Sequence, residues 1–465
     1  METINFGQQK LQQQSNELQP TIALLHCMDL IDDFLDHINI SLDTFCNQFV
    51  GSWMFGYINA LKQAGVRTVL FCISARVKEV SRFTHRPTGT TICILPASKF
   101  YLAYCAMRGK LLSLYAGGEQ VQSFTEIQET NPSHNSFVVK IKDIVKSLGS
   151  YISTPLGPLK RELRREGCQA ILCQEYEYAR FDTCAIWGRL TGIPVFATFQ
   201  GGDQTQSLIE YPWRQLAFRA CKGVIISTQQ EIQRVRQRYK LSDAKIARIF
   251  DPMDTTAWQA IDRNQARTTL GIPPEARVVV CHGRIHWQRK GLDILTAAWQ
   301  QICNQRPDQD LRLLLVGTGP DAAKLRECIT KMQLRGIIWH DEFVNDRNLI
   351  RTYLSAADVY TLASRQEGFP IAPLEAMACG LPVVAADAPG VPDILEGGEV
   401  AGGFVVPRED VQALAVALGR VLDDEAWGRE LGKRALSRIE EFFSPSAIGQ
   451  QLSDFLLQKS ASTNK

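Results

Sequence analysis

The chain has 465 residues, which is too long for one hydrophobic core, so two domains are the first expectation. Its 51 basic and 49 acidic residues give a formal net charge of +2, which argues against nucleic-acid binding through bulk charge. No run of about twenty apolar residues is present, so no membrane span is predicted.

Residues 1–20 contain no apolar core. We therefore predict a flexible N-terminal tail rather than a signal peptide or membrane anchor. The 13 cysteines include no CxxC pair, which is typical of reduced thiols in a cytoplasmic protein and not of disulfides or a zinc site.

Short apolar runs alternate with helical patterns along the rest of the chain. In the first half these runs predict strands at 21–26, 67–73, 91–95, 170–173, 194–199 and 223–227. In the second half they predict strands at 277–282, 311–316, 336–340, 358–363 and 382–386, with helices at 292–302 and 348–357. Continuous apolar strands between helices indicate parallel sheets covered on both faces. The predicted fold class is α/β, with two doubly wound, Rossmann-like domains facing each other across a cleft.

Residues 249–258 separate the two patterns, because Pro and Asp interrupt both periodicities there. We predict a first domain over 21–250, a second over 255–440, and a final helix with a tail over 441–465.

Basic residues cluster ahead of the strand at 170–173. Residues 76–110 contain one acid, Glu79, and seven Lys or Arg residues: Arg76, Lys78, Arg82, Arg86, Lys99, Arg108 and Lys110. Residues 99–115 are aromatic and leucine-rich, and a second basic cluster covers 159–167. These segments fit either solvent-exposed helices or a surface that binds an anionic bilayer through 76–115 and 159–167.

The second domain opens with a loop that is typical of an anion site. Gly283 and Arg284 follow the strand at 277–282, and Lys290 and Gly291 open the next helix. Backbone N–H groups at a helix N-terminus and two fixed cations suit a diphosphate.

A second glycine-rich turn follows the strand at 311–316. Gly317, Gly319 and Ala322 fit G-x-G-x-x-A, the pattern of a dinucleotide site such as that of an NAD(P)-dependent enzyme. The turn follows the second strand of its domain instead of the first, which favours a tight turn with Pro320 at the helix start.

Two carboxylates flank a bend in EGFPIAPLE, Glu367 and Glu375. The pattern predicts a short helix that begins at Pro373 and ends before Gly380, so Glu375 lies one turn into it. Gly368 permits close approach of the backbone to a ligand. Carboxylates accept hydrogen bonds from sugar hydroxyls, so this pair and the two cations of the 283–291 loop would together bind a sugar nucleotide.

The ordered motifs HGRIHWQRKG, VGTGP and ADVYTLASRQEGFPIAPLEAMACGLPVVAADAPGVPDIL resemble the donor domain of family-four retaining glycosyltransferases, which have the GT-B fold. The resemblance covers about 120 residues strongly. It implies that 255–440 bind the nucleotide-sugar donor, that 21–250 bind the acceptor, and that the last helix packs back on the first domain. The whole chain resembles, more loosely, bacterial and cyanobacterial glycolipid glycosyltransferases.

The resemblance also implies roles for individual residues. Glu367 would contact the donor sugar and Glu375 the ribose, while Arg284 and Lys290 would hold the leaving diphosphate. No metal cofactor is then needed, because protein cations do that work. Glu367, Arg284 and Lys290 are the predicted catalytic residues. The remaining predicted donor-binding residues are Gly368, Phe369, Pro370, Glu375, Gly317 and, in the first domain, Gly51.

The first domain matches the family less well. Gln200 stands where family members carry a histidine near the reacting carbon, and an amide cannot act as a general base. Gln200, Asp203, Glu175 and Arg180 are candidates for binding the acceptor or the sugar. The alternative for Glu175 and Arg180 is a capped helix start with a surface ion pair. The substitution leaves open a catalytically inactive module that binds nucleotide sugars.

The expected function is transfer of a sugar, from a UDP-sugar by preference, to a membrane glycolipid. Exopolysaccharide or lipid-linked oligosaccharide acceptors are the alternative, with a soluble acceptor third. The expected location is the cytoplasm, including the inner face of a membrane.

Overall fold

The computed structural model describes residues 19–50, 53–105, 149–199, 201, 210–344 and 346–461. The chain divides into two compact units. The first comprises residues 1–226, 234–249 and 449–465, and the second comprises residues 227–233 and 250–448. Residues 1–18 of the predicted tail lie outside the described part of the chain.

The first unit is built on a sheet of eight strands: β1 Thr21–Asp29, β2 Arg67–Ser74, β3 Ser81–Thr84, β4 Thr91–Pro96, β5 Cys168–Cys173, β6 Val195–Phe199, β7 Gly223–Ile226 and β8 Ile246–Ala247. The strand order is β3-β4-β2-β1-β5-β6-β7-β8. The pairings are parallel except for β3, which runs antiparallel to β4.

The helices up to the second sheet are α1 Leu42–Asn47, α2 Trp53–Gln63, α3 Leu156–Arg165, α4 Ala179–Thr191, α5 Glu210–Ala220, α6 Gln229–Tyr239 and α7 Arg263–Leu270, with a π-helical segment at Leu30–Leu35. Asp29 caps that segment by accepting hydrogen bonds from the backbone N–H groups of Ile31 and Asp32. The first unit also includes residues 449–465, and the Phe455 ring packs edge-on against Phe196 of β6.

The second unit is built on a parallel sheet of six strands: β9 Arg277–His282, β10 Leu311–Val316, β11 Ile337–His340, β12 Val359–Leu362, β13 Val383–Ala386 and β14 Gly403–Val406. The strand order is β11-β10-β9-β12-β13-β14. The helices after β9 are α8 Leu292–Gln305, α9 Ala322–Lys331, α10 Arg347–Ala356, α11 Ile371–Ala378, α12 Val391–Ile394, α13 Val411–Asp423, α14 Glu425–Phe442 and α15 Pro445–Ala461.

The predicted α/β class with two Rossmann-like domains is confirmed, and each predicted strand is present. The apolar runs form strands because burial on both faces of a parallel sheet removes their side chains from water. Val278, Val279 and Val280 of β9, for example, are fully buried. The central strands therefore hold their carboxyl ends, and the loops that follow them, on a rigid base.

The two basic segments are partly neutralised by ion pairs within the first unit. Arg76 pairs with Asp32 at 2.5 Å and also with Asp36. Arg82 pairs with Glu162 in α3, which belongs to the second basic segment. Residues 106–115 of the first segment lie outside the described residues. The expected basic surface thus keeps fewer free cations than the sequence count implies.

All 13 cysteines are free thiols. Within the described residues, the helices are too short or too polar to cross a bilayer.

Candidate donor-binding site

The predicted donor residues of the second unit lie on loops at the carboxyl ends of β9, β10 and β12, except for Glu375, which lies in α11. The loop over 283–291 connects β9 to α8, and the loop over 363–370 connects β12 to α11. In a doubly wound sheet, ligands bind outside the carboxyl ends of the strands. The described part of the second unit therefore gathers these residues where the fold favours a ligand.

The GTGP turn supports the loop that follows β9. The N–H of Gly283 donates to Val316 O at 2.9 Å, and the N–H of Ile285 donates to Thr318 O at 3.0 Å. A Cβ on Gly317 would lie 2.1 Å from Gly283 O, and one on Gly319 would lie 2.2 Å from Ile285 O. Both glycines are thus required for packing between two loops, which accounts for the pattern without a dinucleotide.

A third glycine brings the loop after β9 against the end of β12. Gly291 has φ +60°, and a Cβ there would lie 2.0 Å from Ala363 O. The backbone N–H of Arg365 donates to Arg289 O at 2.9 Å. These backbone contacts fix the two site loops relative to each other.

Arg365 reinforces this junction, and sequence reasoning missed it. Its guanidinium donates to both carboxylate oxygens of Asp293, at 2.9 and 2.7 Å, and to Glu409 at 2.8 Å. These hydrogen bonds, above all the one to Asp293, raise the pKa of Arg365. Desolvation alone would raise the pKa of Asp293, but the bonds from Arg365 hold it below its ordinary value. A fork-to-fork pair of this kind adds geometric precision as well as energy.

Lys290 and Glu367 form one ion pair of the site. Lys290 Nζ lies 2.6 Å from Glu367 Oε1, and the side chains are 25% and 9% exposed. From the sequence, Lys290 is expected to bind the diphosphate and Glu367 the sugar. The structure brings them into direct contact.

Glu375 contacts a residue that sequence reasoning did not assign to the site. His282, the last residue of β9, has its Nε2 atom 2.7 Å from Glu375 Oε2. The ring of His282 is edge-on to Tyr360, with centroids 5.4 Å apart. Glu375 lies in α11, which begins at Ile371, so Pro373 is the third helical residue and not the first as predicted. Proline fits there because the N–H groups of a first turn lack helical partners.

The GFP segment after Glu367 is held by a glycine and by aromatic rings. Gly390 has φ +84°, and a Cβ there would lie 2.8 Å from Gly368 O and 3.0 Å from Pro370 Cδ. The ring of Phe369 stacks on Phe250, with centroids 5.8 Å apart. The segment is therefore fixed on both sides.

Arg284 differs from Lys290 in its environment. Its side chain is exposed. It forms no ion pair with the residues that the structure describes. A cation in this position can contact an incoming anion without breaking an internal contact.

Beneath these charges the site has groups that stay neutral. Desolvation raises the pKa of the Cys281 thiol to about 11, although the Lys290 charge opposes the shift. Burial raises the pKa of the Tyr360 phenol well above its ordinary value. Neither group is ionised near neutral pH, so the carboxylates and cations dominate the electrostatics of the site.

The first-unit candidates are placed only in part. Gly51, Gln200 and Asp203 lie outside the described residues. Glu175 and Arg180 are 6% and 5% exposed. Arg180 Nη1 donates to His26 O at 2.5 Å and to Met28 O at 2.7 Å. Glu175 adopts φ 58°, and its backbone N–H donates to Thr198 Oγ1 at 3.2 Å. Their assignment to the acceptor stays a prediction.

Among the residues described, no three His, Cys, Asp or Glu side chains lie together in a way that could hold a metal ion. The predicted independence from metal stays a prediction.

Comparison with known proteins finds a family match within the second unit. Residues 276–424 match the family model "Glycosyl transferases group 1". The lipopolysaccharide core biosynthesis mannosyltransferase LpsB of Rhizobium meliloti is 29% identical over 197 residues, which cover 42% of this chain and 56% of that protein. The GDP-mannose-dependent monoacylated alpha-(1-6)-phosphatidylinositol monomannoside mannosyltransferase of Corynebacterium glutamicum is 31% identical over 206 residues, covering 42% of this chain and 51% of that one. The chain thus spans about half the length of the curated relatives it matches.

The structural comparison extends over most of the chain. The sucrose-phosphate synthase of Thermosynechococcus elongatus superposes with a TM-score of 0.61 and 21% identity, covering 96% of this chain and 100% of the other. At 21% identity, this superposition shows a shared fold and nothing further. The predicted resemblance is confirmed: residues 276–424 match the glycosyl transferases group 1 family model, and the chain has the fold of GT-B glycosyltransferases.

Proposed function

We propose that this protein is a retaining glycosyltransferase that moves a sugar from a nucleotide-sugar donor to a hydroxyl acceptor. One observation carries the proposal. Glu367 and Glu375 each lie against a nitrogen donor, Lys290 and His282 respectively, at the carboxyl edge of one parallel sheet. Arg284, exposed on the same loop as Lys290, adds a cation that is free to meet an anion.

The proposed donor complex uses these groups as follows. Arg284 and Lys290 bind the diphosphate, Glu375 accepts hydrogen bonds from the ribose hydroxyls, and the backbone at Gly368 lies against the sugar and its phosphate. The contact between Lys290 and Glu367 is compatible with this role, because an ammonium group has three donors and Glu367 uses one. Glu367 keeps its second oxygen for a sugar hydroxyl.

In the proposed reaction, the bond between the anomeric carbon and the diphosphate oxygen breaks, and the electron pair stays on that oxygen. The acceptor hydroxyl attacks the same face of the sugar, so the configuration is retained. Its proton passes to the departing phosphate oxygen, which removes the need for a histidine at position 200. Preorganised cations are most effective where charge develops, and here that is the diphosphate.

We favour a UDP-sugar as donor, with GDP-mannose as the main competitor because a relative's name specifies it. We favour a membrane glycolipid as acceptor. The names of two relatives refer to lipopolysaccharide core and to a phosphatidylinositol mannoside, both of which carry lipid. Exopolysaccharide and lipid-linked oligosaccharide acceptors are the alternative.

Exposed side chains in the basic segments support an acceptor presented at a membrane. Phe100 is 78% exposed, and Lys78, Arg86 and Lys99 are exposed near it in the chain. Aromatic and cationic groups together suit an anionic bilayer surface. Flotation with liposomes that contain or lack anionic lipid measures this interaction, and we expect binding only to the anionic vesicles.

The test of function is sugar transfer by the purified full chain, supplied with UDP- and GDP-sugars and a total lipid extract. We expect a labelled lipid product that Glu367→Gln and Lys290→Ala abolish. Nucleotide binding without turnover on lipid or soluble acceptors would instead identify an inactive binding module. A product with inverted anomeric configuration would contradict the same-face mechanism.

A further inference from the structure

His282 opens the motif HGRIHWQRKG, but neither the motif nor the family resemblance gave this residue a role in the site. It ends β9, and its side chain is 8% exposed. Its Nε2 atom contacts the carboxylate of Glu375 at 2.7 Å, although the two residues are 93 positions apart in the chain. The contact therefore exists only because the fold brings the end of β9 against α11.

The chemistry of the pair determines the direction of the hydrogen bond. An ionised carboxylate only accepts hydrogen bonds, so the histidine must carry its proton on Nε2. The other ring nitrogen, Nδ1, is buried and has no hydrogen-bond partner among the described residues. A bare acceptor in that position is less costly than a buried, unpaired N–H donor on a cationic ring. His282 therefore donates to Glu375 through Nε2.

This bond limits what Glu375 can do. It holds Oε2 and with it the plane of the carboxylate, while Oε1 remains available. The Glu375 side chain is 18% exposed, so the carboxylate still reaches the surface. A glutamate without such a partner has three rotatable bonds and would have to be ordered by the ligand, at a cost in side-chain entropy.

We propose that His282 is a positioning residue for nucleotide recognition: it holds the Glu375 carboxylate in the orientation that accepts hydrogen bonds from the ribose hydroxyls of the donor. This inference rests on the proposed function, because it assumes a nucleotide in the site. His282 itself contacts neither the sugar nor the diphosphate in this arrangement. Its effect is on the selectivity of Glu375 for a ribose with intact hydroxyls.

The competing possibility is that His282 only packs. Its ring meets Tyr360 edge-on, and loss of that contact would disturb the loop after β9 as a whole. Such a disturbance would weaken all nucleotides equally. A positioning role predicts that affinity falls only for nucleotides that carry the hydroxyls contacted by Glu375.

The experiment compares binding of UDP and 2′-deoxy-UDP by calorimetry, with GDP and 2′-deoxy-GDP as the second pair. For the wild-type protein we expect the ribonucleotide to bind about 10–100-fold more tightly, the range for a hydrogen bond to a charged group. In His282→Leu the ratio should fall towards one, because the donor to Glu375 is gone. In His282→Gln, whose amide nitrogen can replace Nε2, the ratio should be largely retained.

Two further variants complete the test. His282→Asn keeps a polar side chain but places its amide too far from Glu375, so it should lose the ratio even if His282→Leu fails to fold. Glu375→Gln should lose it as well, because an amide is a weaker acceptor than a carboxylate.

The possible outcomes separate the two proposals. Equal weakening of both nucleotides in His282→Leu and His282→Asn, with the ratio unchanged, overturns the positioning role. A wild-type ratio near one overturns it also, while nucleotide binding itself would still support the proposed function. If the wild-type protein binds no nucleotide of either base, the proposed function fails and the inference fails with it.

Discussion

Each unit has a histidine near the carboxyl end of the first strand in its sheet, and the two histidines have different surroundings. His26 of β1 is 1% exposed, and its Nδ1 lies 3.1 Å from Met28 O and 3.3 Å from Met28 N, within its own strand. His282 of β9 instead contacts a carboxylate on another element, and that carboxylate is partly exposed. The same location in a parallel sheet thus serves packing in one unit and lies in the proposed donor site of the other.

The charged pairs at the two sheet edges repeat this contrast. In the first unit, Arg214 and Asp182 form an ion pair in which both side chains are 0% exposed. In the second unit, Lys290 and Glu367 form an ion pair that solvent can reach. Position at the carboxyl edge therefore does not identify a functional charge. A functional charge is better indicated by solvent accessibility and by a partner that can form further hydrogen bonds.

The largest expected effect tests the buried pair. Arg214 Nε lies 2.5 Å from Asp182 Oδ1, and Arg214 Nη2 donates to Glu177 O at 2.7 Å. Arg214→Met leaves the buried Asp182 carboxylate without its ion-pair partner and with only the Tyr151 hydroxyl, so the free energy of unfolding should fall by about 3–5 kcal/mol in urea denaturation. The double change Arg214→Met with Asp182→Leu should recover most of that loss. A single variant as stable as the wild type would show that this pair is not structural.

The second prediction concerns the accessible cation of the second unit. Arg284→Ala should lower kcat for transfer by about 10²–10³-fold, or about 2.7–4 kcal/mol, because it removes charge stabilisation of the leaving diphosphate. Stability should not change, since the side chain is exposed and unpaired with the described residues. Arg289→Ala is the matched control, an exposed cation on the same loop, and should retain activity. Equal losses in both variants would indicate a general charge effect.

The third prediction uses pH to sharpen the comparison of the histidines. Burial lowers the pKa of His26 to about 4, against the opposing effect of its hydrogen bond to Met28. The unfolded chain binds a proton near pH 6.5 and the folded protein only near 4, so stability is complete above 6.5 and falls as the pH drops towards 4. The loss should be about 3 kcal/mol. Unfolding curves across this range should have a weaker pH dependence in His26→Gln.

The control for that prediction is His37→Gln. His37 is an exposed residue of the same unit, so its replacement should leave the acid sensitivity expected from His26 unchanged. A His26→Gln protein with the wild-type pH dependence would mean that other groups account for the acid sensitivity.

The smallest expected effect is on stability in two glycine variants, which distinguish backbone strain from displacement of the GFP segment. Gly390→Ala and Gly271→Ala both place a side chain at positive φ, which should cost about 1 kcal/mol of stability or somewhat more. Only Gly390 faces the GFP segment, whereas a Cβ on Gly271 would meet nothing within 4 Å. Donor affinity, measured by calorimetry, should therefore fall in Gly390→Ala alone. Equal affinities in the two variants would show that the GFP segment tolerates displacement.

Local pattern predicted the central strands, the anion-type loop after β9 and the loop with its helix around Glu367 and Glu375. It missed β3, β8 and β14, because SRFT is polar, IA has only two residues, and GFVV is short and begins with glycine. It also missed His282 and Arg365. Each acts through a partner far along the chain, Glu375 or Asp293, and no local periodicity reports such contacts. The role of Gly390 could have been predicted locally, because the sequence APG after the strand at 382–386 indicates a tight turn.

The strands at the margins of the two sheets have a consequence for handling the protein. The outermost strands are β3, β8, β11 and β14, with four, two, four and four residues. Short edges offer few unpaired backbone groups to a second molecule, which is how natural sheets avoid edge-to-edge aggregation. The long, aggregation-prone apolar strands are all interior. The protein should therefore remain monodisperse at the concentrations that calorimetry requires, provided that it stays folded.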